Sequence, residues 1–326
     1  MKKSTFSLFV LLILISSTLG AREYHVAVSG NDKNDGSSAT PFKTINYAAQ
    51  LARPGDVITV HAGTYREWIN PARGGESDAK RIVYQAASGE EVFIKGSEVI
   101  TGWTKEKNQQ GVWKVIIPNA FFGSYNPYQD SIYGDWFSDH GRIHHTGEVF
   151  LNGKSLYEKE KLEKVSNSMP FEGTKDLDGS TYTWYCENDG SNTIIWANFH
   201  KFNPNKELVE ISTRRTVFYP EKPGVNYITI RGFHICQAAT QWAAPTAEQI
   251  GMISTNWNKC WIIENNVISD SKCSGITLGK ERGTGHNVWL ADQSLDGSLH
   301  YIEVTFRTLR NGWSKENIGS HIVRNN

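Results

Sequence analysis

The sequence predicts an all-β chain wound as a right-handed parallel β-helix and interrupted by an inserted antiparallel β-sandwich. Two observations lead to this expectation. The phrase Ile230-Arg231-Gly232-Phe233-His234-Ile235 returns 33 residues later as Ile263-Glu264-Asn265-Asn266-Val267-Ile268, and once more as Ile322-Val323-Arg324-Asn325-Asn326. Each copy is a short β-branched strand, a Gly or Asn that turns the backbone, and a second short strand, which is the unit of a solenoid. In such a solenoid Ile and Val point into a continuous core, while a corner Asn tolerates left-handed φ and bonds to its counterpart in the next rung. Secondly, between about Trp103 and Tyr219 the repeat stops and separate strands at antiparallel spacing replace it. The competing reading is an antiparallel sandwich throughout, with chance likeness between Val/Ile pairs that precede Asn.

The elements follow in order. Residues 1–21 read as a secretory signal: Lys2 and Lys3, an apolar run from Phe9 to Ile15, then the small residues Ser16, Ser17, Thr18, Gly20 and Ala21. The run is too short for a permanent bilayer anchor, and no Cys follows it to carry a lipid. An exported, soluble protein in the periplasm or outside the cell is expected. Residues 22–103 are assigned to the N-terminal cap and first rungs. Tyr24 to Val28 alternates as a strand, and Phe42 to Ala52, between Pro41 and Pro54-Gly55, reads as a short helix laid over the open end of the solenoid. Asp56 to Val60, Ile82 to Tyr84 and Val92 to Ile94 are strands, with Ala62 to Tyr65 a corner.

Residues 104–219 are assigned to the sandwich, with strands at Val112–Ile117, Gly147–Leu151, Tyr182–Tyr185, Thr193–Ala197 and Leu208–Ser212. Asn152-Gly153 between Leu151 and Ser155 is a strong hairpin signal. Residues 220–326 resume the rungs, interrupted by a polar excursion from Lys280 to Lys315 in which Leu299 to Leu309 has helical character. The chain stops mid-rung at Asn326, so the N-terminal part of a longer protein is expected, with self-association through the uncovered solenoid end.

Composition narrows the function classes. The net charge of zero argues against nucleic acid as a partner, because nucleic-acid binding leaves a basic surplus. The 11 Trp, 13 Tyr and 14 Phe beside 29 Gly fit a β-rich protein that stacks sugars on flat rings, and fit a large β core equally well. Cys186, Cys236, Cys260 and Cys273 lie in or beside strand-like runs without metal-ligand spacing, and read as buried small side chains, with a single bridge as the alternative. No metal and no cofactor is expected.

Several motifs are long enough to be specific: FFGSYNPYQDSIYGDWF, EVFLNGKSLYE, TIIWANF, STRRTVFYP, ATQWAAPTAEQIG, NWNKCWIIENNVISDSKCSGITLGKE and RNGWSKENIGSHIVRNN. Together they resemble glycoside hydrolase family 120, the β-xylosidases, over nearly all of Tyr24 to Asn326. The resemblance implies a pectin-lyase-like β-helix carrying a β-sandwich near its N-terminus. It also implies retaining hydrolysis of β-1,4-linked xylose from the non-reducing end of xylo-oligosaccharides. Retention needs two carboxyl groups about 5 to 5.5 Å apart. In the family both are implied to lie on rungs past the equivalent of Asn326, so no catalytic residue is assigned here and the chain by itself is expected to be inactive.

The remaining candidates are sugar contacts. Trp136, in Gly134-Asp135-Trp136, matches a tryptophan implied to contact the sugar ring, and Asp135 goes with it. The alternative for Trp136 is packing between sandwich and solenoid. Trp242 stands in a loop between rungs where nothing local demands a core indole. The carboxylates Asp135, Glu248, Asp270 and Glu281 read as turn or hydrogen-bonding residues, and His140, His144 and His145 as ordinary loop histidines that form no metal-ligand pattern with a nearby carboxylate. Two other functions compete: an exported protein that binds xylan fragments without cutting them, and a pectate-lyase-like enzyme. The second would want calcium-binding Asp clusters and a basic residue on the rungs, where this chain has Ile, Val, Asn and Cys.

Overall fold

The computed structural model describes residues 20–134, 137–242, 250–279 and 297–326. The proposed signal segment lies almost wholly outside them. The described part is mostly β, as expected, and its strands fall into several separate sheets.

Three of these are parallel. In the largest, Glu23–Val26, Val57–Val60, Ile82–Ala86, Ile228–Arg231, Ile262–Glu264 and Ile322–Arg324 lie side by side. Their register stacks Tyr24, Ile58, Tyr84, Ile230, Ile263 and Val323 in one column, so the repeat of the sequence is a repeat in space. A second column holds Tyr65, Ile94, Ile235 and Ile268. A third runs from Ile69 through Phe218 and Ile253 to Ile276. All three face one apolar core, closed by Trp261, whose indole N–H donates to the Val225 carbonyl at 2.7 Å. Burying each Ile or Phe of these columns stabilises the fold by about 1.5–3 kcal/mol.

Corner residues explain why the copies stay in register. Gly232, Asn265 and Asn325 occupy equivalent corners with φ of 81°, 55° and 55°. Asn266 follows, buried. Its side chain accepts the Phe233 amide at 3.1 Å and donates to the Ile230 carbonyl and to the side-chain oxygen of Asn326 at 2.8 Å. Two further sets of corners share the left-handed conformation, and in them Tyr227, Cys260 and Gln237 are not turn-forming residue types: Tyr227, Cys260 and Ser320, and Gln237 and Asp270. Position in the stack, not residue type, imposes it there.

The expected cap helix is Ile45–Leu51. Thr44 caps it through its hydroxyl, and the Glu67 carboxylate, reaching from outside the helix, accepts the Ile45 and Asn46 amides at 2.9 and 2.7 Å. Ile45, Ala48 and Ala49 are its buried face. A later helix, Gly297–Arg310, covers the stretch expected to be helical.

The remaining two sheets enclose a second core around Trp103, Trp184, Phe199 and Ile211. One contains Ser97–Val99, Val149–Leu151, Lys154–Ser155 and Val209–Ser212, all antiparallel. The other contains Thr104–Lys105, Val112–Pro118, Tyr157–Glu158, Thr183–Asn188 and Asn192–Asn198, antiparallel except where Tyr157–Glu158 runs parallel to its neighbour. Asn152-Gly153 forms the two-residue hairpin, with φ of 50° and 81°. All four cysteines are free thiols, Cys186 and Cys236 buried.

At the Asn265 corner, substitution by Gly should leave stability within a few tenths of a kcal/mol, and Ala should cost about 1 kcal/mol by forcing a Cβ into left-handed φ. Asn266→Ala should cost more, about 2 kcal/mol, because it leaves buried backbone groups unpaired. Urea midpoints at constant slope measure all three, and a neutral Asn265→Ala would show that the corner carries no strain.

Candidate functional site

The chain leaves the parallel stack and returns to it at one point. The Gly96 carbonyl accepts the Thr213 and Arg214 amides at 2.9 and 3.0 Å, and its own N–H donates to the Cys236 carbonyl at 2.9 Å. A Cβ at Gly96 would come within 2.7 Å of the Ala238 Cα, so only glycine fits this crossing. The antiparallel sheets are therefore held to the stack by a narrow stem.

Beside the stem lies a buried charged cluster. Glu210, fully buried on Val209–Ser212, accepts from Arg66 Nη2 at 2.5 Å, Lys95 Nζ at 2.8 Å and Gln237 Nε2 at 3.1 Å. All three donors belong to the parallel stack. Ser97 closes the ring, donating to Gln237 Oε1 at 2.6 Å and accepting from Arg66 at 2.9 Å. Burial alone would raise the Glu210 carboxyl; the hydrogen bonds from Lys95, Arg66 and Gln237 outweigh it and hold the group below its usual range.

Two openings flank the junction between the sheets and the stack. The first, about 620 Å³, is lined by Arg142, His144, Glu148, Glu158, Asp270 and Lys272 among others. Several of its charged groups are paired within the protein: Lys272 with Glu148 at 3.0 Å, and Glu158 with His145 Nδ1 at 2.6 Å. Burial would lower the Lys272 ammonium, but Glu148 and Glu158 more than compensate and hold it above the usual lysine range. The Cys186 thiol, 3.7 Å from His145, is pushed well up by burial and is no nucleophile.

The second opening, about 700 Å³, is lined from four stretches: Trp68, then Ser124 and Tyr125, then Arg214, Arg215 and Tyr219, then Asn256. It is richer in aromatic surface. The Arg215 guanidinium lies over the Tyr125 ring at 4.6 Å, and Arg214 is paired with Glu98 at 2.5 Å.

The sequence candidates distribute around this junction. Trp242 is half-buried, its amide donating to the Gln241 side chain at 2.9 Å. Gln241 in turn donates to the Ser131 carbonyl at 2.8 Å and meets the Tyr133 amide at 3.4 Å. The loop carrying Trp242 is thus joined to the segment that leads into Gly134. Asp135 and Trp136 themselves lie outside the described residues, as do Glu248 and Glu281. Asp270 sits at a corner, accepts from Ser269 Oγ at 2.7 Å and lines the first opening. His145 pairs with Glu158, 13 residues further along the chain. Among the described residues no three His, Cys, Asp or Glu side chains are placed to hold a metal ion.

Comparison with known proteins places these features. Residues 100–211 match the model described as "Glycoside hydrolase 120, insertion domain". The chain carries the family 120 insertion domain. Residues 28–71 match a protein family of unknown function, DUF1565. A solved structure described as the complex structure of XylC with xylose is 46% identical and superposes with a TM-score of 0.89, over 93% of this chain and 49% of that one. The chain therefore spans about half the length of that relative. A curated protein, the uncharacterized YwoF of Bacillus subtilis (strain 168), is 32% identical over 81 residues, which is 24% of this chain and 17% of that protein. The insertion domain is the unit whose Glu210 docks onto the parallel stack.

Sequence reasoning missed Glu210, Arg66, Lys95, Gln237, Gln241, Trp68 and Arg215 as junction residues. A faint signal existed for one of them, since Glu210 interrupts the apolar strand Val209 to Ile211.

Glu210→Gln should destabilise the protein by about 3 kcal/mol at neutral pH, by leaving Lys95 and Arg66 as unpaired charges. The sign with pH follows from the lowered pKa. The contribution of Glu210 is complete above the unfolded carboxyl value, about 4.3, and is lost as pH falls through the lower folded value. Thermal melts from pH 6 to pH 3 should therefore show an acid loss in the wild type that is smaller in Glu210→Gln, and equal losses would place the acid sensitivity elsewhere.

Proposed function

We propose that this chain is the ligand-binding part of a glycoside hydrolase resembling the retaining β-1,4-xylosidases, and that xylo-oligosaccharides are its ligands. The observation that carries this reading is the 46% identity, over 93% of the chain, to a protein solved with xylose. The joining of the Trp242 loop to the segment leading into Asp135 and Trp136 supports it, since a sugar ring stacks on flat indole faces. In the same reading the three parallel columns are the faces of one right-handed β-helix, supported by corners that recur at the sequence offset. The antiparallel sheets are then its inserted sandwich, and residues 1–21 direct export.

Within this proposal the described residues supply binding and not bond cleavage. Two of the acids at the first opening favour that division: Glu148 and Glu158 are engaged by Lys272 and His145, and neither stands free to protonate a leaving group or attack an anomeric carbon. The same observation supports the second reading, a non-catalytic xylan-fragment binder.

Trp242→Ala and Trp136→Ala should each weaken xylobiose binding about tenfold, as loss of a stacking face does, with little change in melting temperature. A change mainly in melting temperature would assign the indole to packing. The chain should show no turnover of a chromogenic β-xyloside above a no-enzyme control, and measurable turnover would overturn the division of roles.

A further inference from the structure

We infer that the second opening is a binding site for a saccharide bearing a carboxylate, such as a uronic-acid branch on a xylose chain. The inference rests on the saccharide reading above and adds a site and a charge class to it. Its first support is Arg215. Arg214 beside it has Glu98, yet Arg215 makes neither an ion pair nor a hydrogen bond among the described residues, and its Nε is buried with no partner. It lies over the face of Tyr125, a contact that holds the guanidinium without using any of its N–H donors. A guanidinium held this way keeps its full donor fork for a carboxylate.

The second support is Asn256, 2% exposed and with φ of 46°. Its Nδ2 donates to the Pro220 carbonyl at 2.6 Å, which fixes the amide, and its Oδ1 is buried without a partner. Two unmet buried polar atoms at one cavity are costly unless something else meets them. One is a donor on a cation and the other a neutral acceptor. That pair suits a ligand carrying both a carboxylate and hydroxyl donors, which is the chemistry of a uronic acid. Trp68 adds an indole whose N–H is already committed to the Tyr219 carbonyl at 2.9 Å, leaving its ring to pack against a sugar face. Glu221 is the single acid among the lining residues, and its exposed position at the rim leaves Arg215 unpaired.

The test uses the full chain and three probes: xylobiose, glucose and glucuronate, each titrated calorimetrically at low and high salt. Glucuronate should bind about tenfold tighter than glucose at low salt, with the difference shrinking as salt screens the Arg215 charge. Arg215→Met, which keeps an unbranched apolar side chain and removes the charge, should abolish that preference and leave xylobiose binding and melting temperature unchanged. Ser124→Phe, an exposed change that fills the opening from the insertion domain, should weaken glucuronate to the same degree. Equal binding of glucose and glucuronate, or an unchanged preference in Arg215→Met, would overturn the inference while xylobiose binding leaves the proposed function standing. Failure of the wild type to bind any of the three would remove both.

Discussion

The structure turns on one buried carboxylate. Glu210 sits on an antiparallel strand, while Arg66, Lys95 and Gln237, which satisfy it, sit on three different stretches of the parallel stack. Such a cluster adds little net stability, because desolvating several charges offsets their attraction. Its effect is geometric. The donors converge on Glu210 in only one orientation of the insertion domain, and any tilt would strip a buried charge of partners at a cost of several kcal/mol. Gly96 permits the same pose from the backbone side, since Thr213 and Arg214 bond to its carbonyl directly against Ala238. A narrow stem alone would leave the domain free to swing, and the charged cluster beside it removes that freedom.

The openings inherit their shape from this constraint. The larger one takes its walls from Trp68 in the stack, Tyr125 in the insertion domain and Arg215 just past the stem. Tyr125 is fixed as well, because its hydroxyl bonds to Asp130, Thr146 and the Ala239 carbonyl of the stack. Binding there and the orientation of the insertion domain are therefore one equilibrium: a ligand touching all three walls favours the docked pose, and the docked pose preorganises the walls.

What was legible in the sequence is what repeats or turns locally. Ile230 and Ile263 announced their stacking because inward positions recur at a fixed offset, and Asn152-Gly153 announced its hairpin because two positive φ values in succession call for those residue types. The corner at Tyr227, Cys260 and Ser320 was hidden because nothing in those side chains favours left-handed φ, and the stacked strands on either side impose it. Charged contacts were hidden for a different reason. Glu210 meets Arg66 across 144 residues and His145 meets Glu158 across 13, and pairing at such separations follows only from the fold. Trp242 was legible as a residue without a local packing reason, but its link through Gln241 to Ser131 was not.

The two openings differ in one respect that bears on function. At the first, Lys272 and Glu148 are already paired, as are Glu158 and His145, so a ligand that engages those groups must compete with an existing pair and gains little. At the second, the Arg215 Nε and the Asn256 amide oxygen are buried and unmet before any ligand arrives, so their desolvation is already part of the folded state and a ligand recovers it on binding. Unmet groups of this kind cost stability, and a stable core elsewhere is what allows them to persist. The continuous columns of Ile, Val and Phe provide that core, and the buried carboxylate at the junction aims what it supports.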